Sequence, residues 1–476
     1  MARLMTLCVA IVVATTILGS AVSTVFARSA EESPKYTFLR NDEDWSFLRD
    51  LPKNQQTDFW DPSKYVPLND DGSIWASFGG RTRFRLENWW NFNSLPSNVG
   101  NDTFLLWRAL LHTDLHVGED VRFFVQAKSA LSTERDLPGS KRTLDVDTIA
   151  LQQAFADWRI PLKDTQLTLR GGRQQYLFGH QRLVSPLPWA NTLRAWDGVT
   201  GILNAGSWTV TGFWSQFAPV RKHDFNKSDD ERPLYGVYAT NKLDTKYFKG
   251  VDLYFMGSEN QDPVTFNGTT GKEDRYTIGG RVWGKIGDLP LDYDIEGAYQ
   301  FGSVGSDDIN AYMFGTEIGY LVSEWPWKPR FSAGFEMGSG DDEPGGDVET
   351  FNQLFPLAHA YFGYIDLIGR QNALDLHFDL KVAPLEKLTA KVSGHFFWRD
   401  STADALYNAG GAAIRPGSAG SSSEIGQEID VTLTYRHDRH TTVELGYSHF
   451  FAGEFIEESG PSNDIDFLYL QVRYTF

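Results

Sequence analysis

Beyond residue 72 the chain alternates between apolar and polar positions. Over 74–88, Ala76, Phe78, Gly80, Thr82, Phe84 and Leu86 share one face, and Arg81, Arg83, Arg85 and Glu87 share the other. Over 387–399, Leu388, Ala390, Val392, Gly394, Phe396 and Trp398 oppose Thr389, Lys391, Ser393, His395, Phe397 and Arg399. Successive side chains of a strand point to opposite faces, so a period of two predicts strands with one apolar and one polar side. A soluble sandwich alternates in the same way, and the strands alone do not separate it from a barrel.

The connections do. Eighteen segments are predicted, near 74–88, 104–117, 121–131, 148–160, 164–174, 195–204, 207–217, 234–240, 249–258, 274–287, 290–302, 310–322, 327–338, 372–384, 387–399, 427–437, 440–451 and 464–476. Short links such as Gly118-Glu119-Asp120, Pro161-Leu162-Lys163 and Ala205-Gly206 take turns with long ones at 91–103, 175–194, 339–371 and 400–426. Short periplasmic turns and long extracellular loops are the outer-membrane pattern. The fold class predicted is all-β: a transmembrane, antiparallel, up-and-down β-barrel of about eighteen strands. The last segment alternates Leu468, Leu470, Val472 and Tyr474 with Tyr469, Gln471, Arg473 and Thr475 and ends on Phe476. An aromatic terminal strand of this kind resembles the signal read by the barrel assembly machinery, which makes that machinery an expected partner. Trp89, Trp90, Trp107, Trp158, Trp325, Trp327 and Trp398 lie near segment ends, where interfacial girdles place amphipathic rings.

Composition supports the barrel over two or three soluble domains. Aromatic residues are 14% of 476, with 15 Trp and 33 Phe, yet mean hydropathy is −0.35, as alternating strands in a membrane produce. The net charge of −18 disfavours nucleic acid as a partner. At the N-terminus Arg3, the apolar stretch 4–18 and Val25-Phe26-Ala27 predict a secretory signal over 1–27. Thr6, Thr15, Thr16 and Ser20 interrupt it too often for an anchoring helix. The only cysteine, Cys8, lies within it, so the mature chain would hold no thiol. Residues 28–72 are polar and proline-bearing with isolated aromatics. They read either as a periplasmic segment packed against the mouth of the barrel (73–476) or as a disordered leader.

If the apolar face meets lipid, the other face lines the lumen, because Arg or Lys toward lipid at mid-depth costs roughly 2–4 kcal/mol. The first five segments then offer Arg81, Arg83, Arg85, Arg122, Lys128 and Arg170 to the lumen, and the last, closing beside the first, adds Arg473. Opposite them stand Asp252, Asp292, Asp294, Glu296, Glu317, Glu336, Asp375 and Asp379. One wall is expected to be basic and the other acidic, a field that orients polar solutes. Arginine rows suit carboxylate or sulfate groups; mutual neutralisation across the lumen is the competing reading. No catalytic, metal or cofactor site is predicted. His112 and His116 share a face but stand roughly 13 Å apart on a strand. Asp292, Asp294 and Glu296 lack a nucleophile or histidine partner. The run 340–347 lacks the ligand spacing of a calcium loop, and Asn267-Gly268-Thr269 is a glycosylation triplet without meaning in a bacterium.

Several motifs occur together: Gly172-Arg173-Gln174, Gly179-His180-Gln181-Arg182-Leu183-Val184, Trp189-Ala190-Asn191 and Arg194-Ala195-Trp196-Asp197-Gly198. They are followed by Phe397-Trp398-Arg399-Asp400 and Ile425-Gly426-Gln427-Glu428-Ile429-Asp430. With the leader Phe38-Leu39-Arg40-Asn41-Asp42-Glu43-Asp44, they resemble the signature of alginate-export-type outer-membrane proteins. The resemblance spans nearly the whole mature chain and implies an eighteen-stranded barrel in the outer membrane. It also implies a positively charged constriction, whose role falls by motif position on Arg173, Arg194 and Arg399. The implied function is a porin-like channel for an anionic oligo- or polysaccharide such as alginate or a related polyuronate, with periplasmic export components as candidate partners. The alternatives are a diffusion porin not devoted to alginate and an outer-membrane barrel enzyme, for which no Ser/His/Asp constellation is found. The link between the sixteenth and seventeenth segments, long and plug-like in the alginate porin, spans only about 437–440 here.

Overall fold

A computed structural model describes residues 36–56 and 58–476; the predicted signal, 1–27, lies outside the described residues. Every predicted segment becomes a strand. They are β1 (Ile74–Trp90), β2 (Asp102–Val117), β3 (Val121–Ser132), β4 (Asp147–Leu162), β5 (Thr165–Gln174) and β6 (Trp196–Ala205). Next come β7 (Trp208–Phe217), β8 (Pro233–Lys242), β9 (Phe248–Phe266), β10 (Thr269–Lys285), β11 (Leu291–Val304) and β12 (Asp307–Leu321). The circle finishes with β13 (Arg330–Gly338), β14 (Ala373–Leu385), β15 (Leu388–Trp398), β16 (Glu424–Arg436), β17 (Thr441–Ala452) and β18 (Ile465–Thr475). Each pairs antiparallel with the next, and β18 closes on β1 from Arg81↔Thr475 to Trp90↔Asp466. Closure leaves no edge whose amides would go unbonded in lipid.

The pleat separates two environments. Phe78, Leu111, Val125, Val199, Leu253 and Ile278 are exposed on the outside, while Arg81, Arg83 and Arg85 are buried within. An exposed apolar belt around the whole circle is what a lipid solvent requires. Trp158, Trp325 and Trp327 are exposed near the short-turn end, as a girdle would have them. Trp89 departs from that expectation. It shares the parity of Arg83, Arg85 and Glu87, so it points inward, stacks on Phe467 at 4.0 Å and is buried. The tight turns at 118–120 and 206–207 need a left-handed residue, and Gly118 (φ 65°) and Gly206 (φ 58°) supply it.

Two outer connections are shorter than the sequence pattern suggests. β9 and β10 run past the predicted segments into a two-residue turn at Asn267-Gly268, with φ of 34° and 95°. Asn-Gly is the favoured pair for such a hairpin because both residues tolerate positive φ. β11 and β12 turn likewise at 305–306.

The apolar core of this molecule lies inside the barrel rather than within its sheet. The loops 175–195 and 339–372 fold inward and join each other through a parallel bridge between Val184 and Phe355. Phe355 N donates to Leu183 O, and Ser185 N to Phe355 O. Around them the lumen face of β6–β9 is aromatic, with Trp196, Phe213, Tyr238 and Tyr254 packed against Tyr176 and Val184. The lumen is therefore charged on only part of its circumference.

The described residues of 36–73 pack into the short-turn mouth at the β1–β18 seam. Trp60 stacks on Phe476 at 4.2 Å, and Arg40 donates to the carbonyls of Gly80 and Phe476, both at 2.9 Å. Asp58 meets Arg439 and His440 at 3.0 and 2.7 Å, and Trp45 and Leu48 pack on Trp75. Lys64 donates to Phe78 O at 2.8 Å and is enclosed. Burial pushes its ammonium down to about 7.

Candidate functional site

Antiparallel pairing puts three arginines side by side. Arg83 on β1 is in register with Arg473 on β18 and with Arg108 on β2. Like charges directly opposite each other in a sheet are destabilising. Among the described residues none of the three forms an ion pair with a carboxylate. Backbone carbonyls take that place for two of them. Arg83 donates to Pro188 O, Trp189 O and Ala190 O at 3.1, 2.9 and 3.0 Å. Arg108 donates to Ala190 O at 2.8 Å. Arg473 is half-buried and faces the lumen without a direct partner among the described residues.

The segment carrying these carbonyls is held from both sides. Asn191 donates to the carbonyls of Trp107, Leu131 and Asp145 at 3.1, 3.0 and 2.8 Å. Arg85 donates to Trp189 O at 2.7 Å, pairs with Glu87 at 2.6 Å, and lies 3.8 Å over the Trp189 ring. The indole also stacks on His359 at 3.8 Å, followed by Tyr364 at 4.4 Å, and Tyr469 meets it edge-on at 5.0 Å. A column Arg85–Trp189–His359–Tyr364 thus rises through the lumen and ties the two inward loops together. Beside it lies a cavity of about 340 Å³ lined by Arg85, Arg142, Trp189, Arg194, His359 and Asp366.

Across the lumen, the other end of the same loop meets the acids. Arg182 reaches Asp294 at 2.9 Å, Glu296 at 3.0 Å and Glu336 at 2.8 Å, and His180 lies 3.3 Å from Asp294. The loop 175–195 therefore spans from β1 and β2 to β11 and β13, a constriction built across the pore.

The other predicted residues divide by partner. Arg122 pairs with Asp114, two contacts of 2.7 Å, and also bonds Asn41 O. Arg170 pairs with Asp157 at 2.7 and 2.9 Å, and Arg173 with Asp197 at 2.7 and 2.6 Å. Lys128 meets Asp147 at 2.9 Å, and Arg81 donates to Thr37 O at 2.8 Å. Asp292 and Glu317 share Arg330 at 2.5 and 2.6 Å; Glu336 also meets Arg370 at 2.5 Å. Asp375 bonds His377 and His395. Arg194 has no carboxylate partner among the described residues. It donates to Pro356 O at 2.8 Å, and burial pushes its guanidinium down to about 9. Arg399 is enclosed in the outer loops, bonded to Thr402 O, Asp404 O and Ser421 and lying 3.6 Å over Phe455. Its guanidinium holds that loop together and stands apart from the constriction.

Three residues central to this arrangement, Arg108, Arg182 and Trp189, were not among the predicted lumen residues. Arg108 is masked because both faces of outer β2 read apolar, with Phe104, Leu106 and Leu110 inward and Leu105, Trp107 and Leu111 outward. Arg182 and Trp189 stand inside the motifs Gly179-His180-Gln181-Arg182-Leu183-Val184 and Trp189-Ala190-Asn191, which mark them in the sequence.

A family model described as alginate export matches residues 74–468. No curated protein sequence matches the chain. Among solved structures it is similar to OccAB1 of Acinetobacter baumannii (TM-score 0.56, 11% identity, covering 87% of this chain and 99% of that one). It is also similar to a BenF-like porin from Pseudomonas fluorescens (0.56, 12%, 84% and 98%). A third similar structure is OccK2 (OpdF) of Pseudomonas aeruginosa, solved in complex with glucuronate (0.53, 13%, 87% and 98%). At these identities the likeness is one of fold.

Proposed function

The chain belongs to the alginate export family and is a porin-like channel of the outer membrane, and from that premise we propose that it passes a uronate-type anionic saccharide. The observation that carries this reading is the row Arg473–Arg83–Arg108, three lumen guanidiniums in register, none of which forms an ion pair with a carboxylate among the described residues. Carbonyl dipoles satisfy the hydrogen bonds of Arg83 and Arg108 but leave their charge standing. A carboxylate moving past can pair directly with Arg473, the one of the three that is not buried, while the enclosed Arg83 and Arg108 act on it through their field. OccK2, a neighbour in fold, was solved in complex with glucuronate, a monomeric uronate.

A second reading, a porin for a small carboxylated solute, draws support from the two loops that narrow the lumen. One experiment separates the two and tests both. Single channels in planar bilayers are exposed to oligouronates of increasing length and to neutral oligosaccharides of matching length. The proposal expects uronates to block at concentrations at least about tenfold lower, a difference of about 1.4 kcal/mol. It also expects Arg473→Gln, which touches no loop, to shrink that preference. Block that strengthens with chain length favours a polymer, and block confined to mono- and disaccharides favours the small solute. Equal block by charged and neutral sugars overturns the anionic cargo.

A further inference from the structure

On the acidic wall a cation meets nearly every buried carboxylate. Asp252 and Asp294 meet Arg281, Glu336 meets Arg182 and Arg370, and Asp379 meets Lys391. Asp375 on β14 meets no lysine or arginine. It is fully enclosed, and its only side-chain partners among the described residues are two imidazoles.

The sheet delivers those imidazoles as a pair. His377 follows Asp375 by two, on the same face, and His395 on β15 stands directly across from His377. His377 Nδ1 lies 2.7 Å from one Asp375 oxygen and His395 Nδ1 lies 3.1 Å from the other. The carboxylate oxygen and the ring nitrogens of the three residues all fall within 4.8 Å of one another. A metal ion with tetrahedral bonds of about 2.0–2.2 Å holds its ligand atoms about 3.3 Å apart, so small side-chain rotations close the set. Gly334 on β13 makes room for His377, because a Cβ there would lie 2.2 Å from Nε2 of the ring.

A second observation points the same way. Asp430 on β16 is buried, and neither of its carboxylate oxygens has a hydrogen-bond partner among the described residues. The nearest cationic candidate is Nε2 of His395, at 3.6 Å. The ring thus presents one nitrogen to Asp375 and the other to Asp430. A carboxylate behind a histidine is how metal sites fix the tautomer and raise the basicity of the ligating nitrogen. Glu428, directly across from His395, accepts from Ile365 N at 3.0 Å and stands beside Asp430.

We propose that Asp375, His377 and His395 form a binding site for one divalent transition metal of the zinc class, with Asp430 as the positioning residue for His395. Two imidazoles and one carboxylate suit zinc, cobalt, nickel or ferrous iron rather than calcium or magnesium, which prefer all-oxygen shells. The remaining positions would be filled by water. The ion supplies the positive charge this part of the wall lacks, and the inference is independent of the cargo assigned above.

The test uses the full chain folded in detergent and freed of metal by a chelator. Zinc is titrated against a chromophoric competitor, cobalt is followed by its visible absorption, and folding of each variant is checked by heat-modifiable gel mobility. Expected are one ion per chain, a cobalt spectrum of a four- or five-coordinate nitrogen/oxygen site, and no competition from excess calcium. His377→Gln and His395→Gln should abolish uptake, and Asp430→Asn should weaken it about 10–100-fold. Should the histidine variants fail to fold, X-ray absorption of the wild-type zinc adduct decides instead, by counting two imidazoles or not. No stoichiometric uptake by the wild type, uptake undiminished in a folded histidine variant, or a shell without imidazole overturns the site.

Discussion

Replacing Arg182 by Met should open the constriction without unfolding the barrel. Arg182 makes contacts of 2.9, 3.0 and 2.8 Å with Asp294, Glu296 and Glu336. Two of these acids keep another arginine when it is gone: Asp294 keeps Arg281 and Glu336 keeps Arg370, both at 2.5 Å. Glu296 keeps only the Tyr254 hydroxyl at 3.0 Å, so the substitution strands one buried negative charge. Removing one partner of a buried pair costs about 3–5 kcal/mol. The barrel ladder does not involve the Arg182 side chain, so that cost falls on the docking of the loop 175–195. A change of this size alters the closed-to-open ratio by about two to nearly four orders of magnitude. Single-channel recording should then show larger conductance and new open levels, and limited proteolysis should cut within 175–195. Adding Glu296→Gln removes the stranded charge and should restore part of the closed behaviour. If Arg182→Met is folded yet has wild-type conductance and protease resistance, the loop is not held by this cluster and the reasoning fails.

Three further outcomes follow from other parts of the molecule. Lys64 has its ammonium pushed down to about 7 by burial, against an ordinary 10.5. The undocked segment therefore binds more protons between those values. Docking of 36–73 should strengthen as pH rises from about 7 to 10 and stay flat below that window. Lys64→Met should abolish the trend, and tryptophan fluorescence from Trp45 and Trp60 reads it; docking that weakens over the same window contradicts the assignment. Trp189→Ala removes the ring between Arg85 and His359 and should weaken uronate block in bilayer recordings by about 1–2 kcal/mol, with block by neutral sugars changing less than fivefold. Phe476→Ala loses the stack on Trp60 and should loosen the N-terminal segment and slow assembly into membranes. Pulse-chase folding in cells and protease access to 36–73 measure the two effects separately.

The strands were legible because lipid contact forces every second residue within the membrane to be apolar, and a one-residue slip would turn charge toward lipid. Where that force ends, legibility ends too. The extension of β9 through Ser258-Glu259-Asn260-Gln261-Asp262 carries no apolar member, because a hairpin in water has no lipid face to satisfy. The inward charges could be assigned to walls from parity alone, as with Arg83, Asp294 and Glu336. Their partners could not, because Arg83 is answered by carbonyls about a hundred residues away and Asp294 by Arg182 on the same distant loop. Parity gives a side chain its face. Only the path of the loop gives it a neighbour, and a single sequence does not contain that path. The histidine pair escaped notice for the same reason: His377 and His395 stand eighteen positions apart and meet only through cross-strand register.

The two ends of the loop 175–195 compensate the two walls by different means, and the difference bears on selectivity. At the acidic wall it inserts a full positive charge, Arg182, which together with Arg281 and Arg370 answers Asp294, Glu296 and Glu336. At the basic wall it inserts no carboxylate. It turns the carbonyls of 188–190 toward Arg83, Arg85 and Arg108 instead. Carbonyl dipoles satisfy guanidinium donors, which would otherwise carry a buried penalty, yet they leave the net charge in place. Aspartates at those positions would have met the same hydrogen bonds and erased the field. A wall that is satisfied in hydrogen bonding but unsatisfied in charge attracts an anion without trapping its own side chains in ion pairs that the anion must break. The loop thereby leaves an uncompensated positive stretch along β18, β1 and β2, beside which, on the proposed reading, an anionic chain passes.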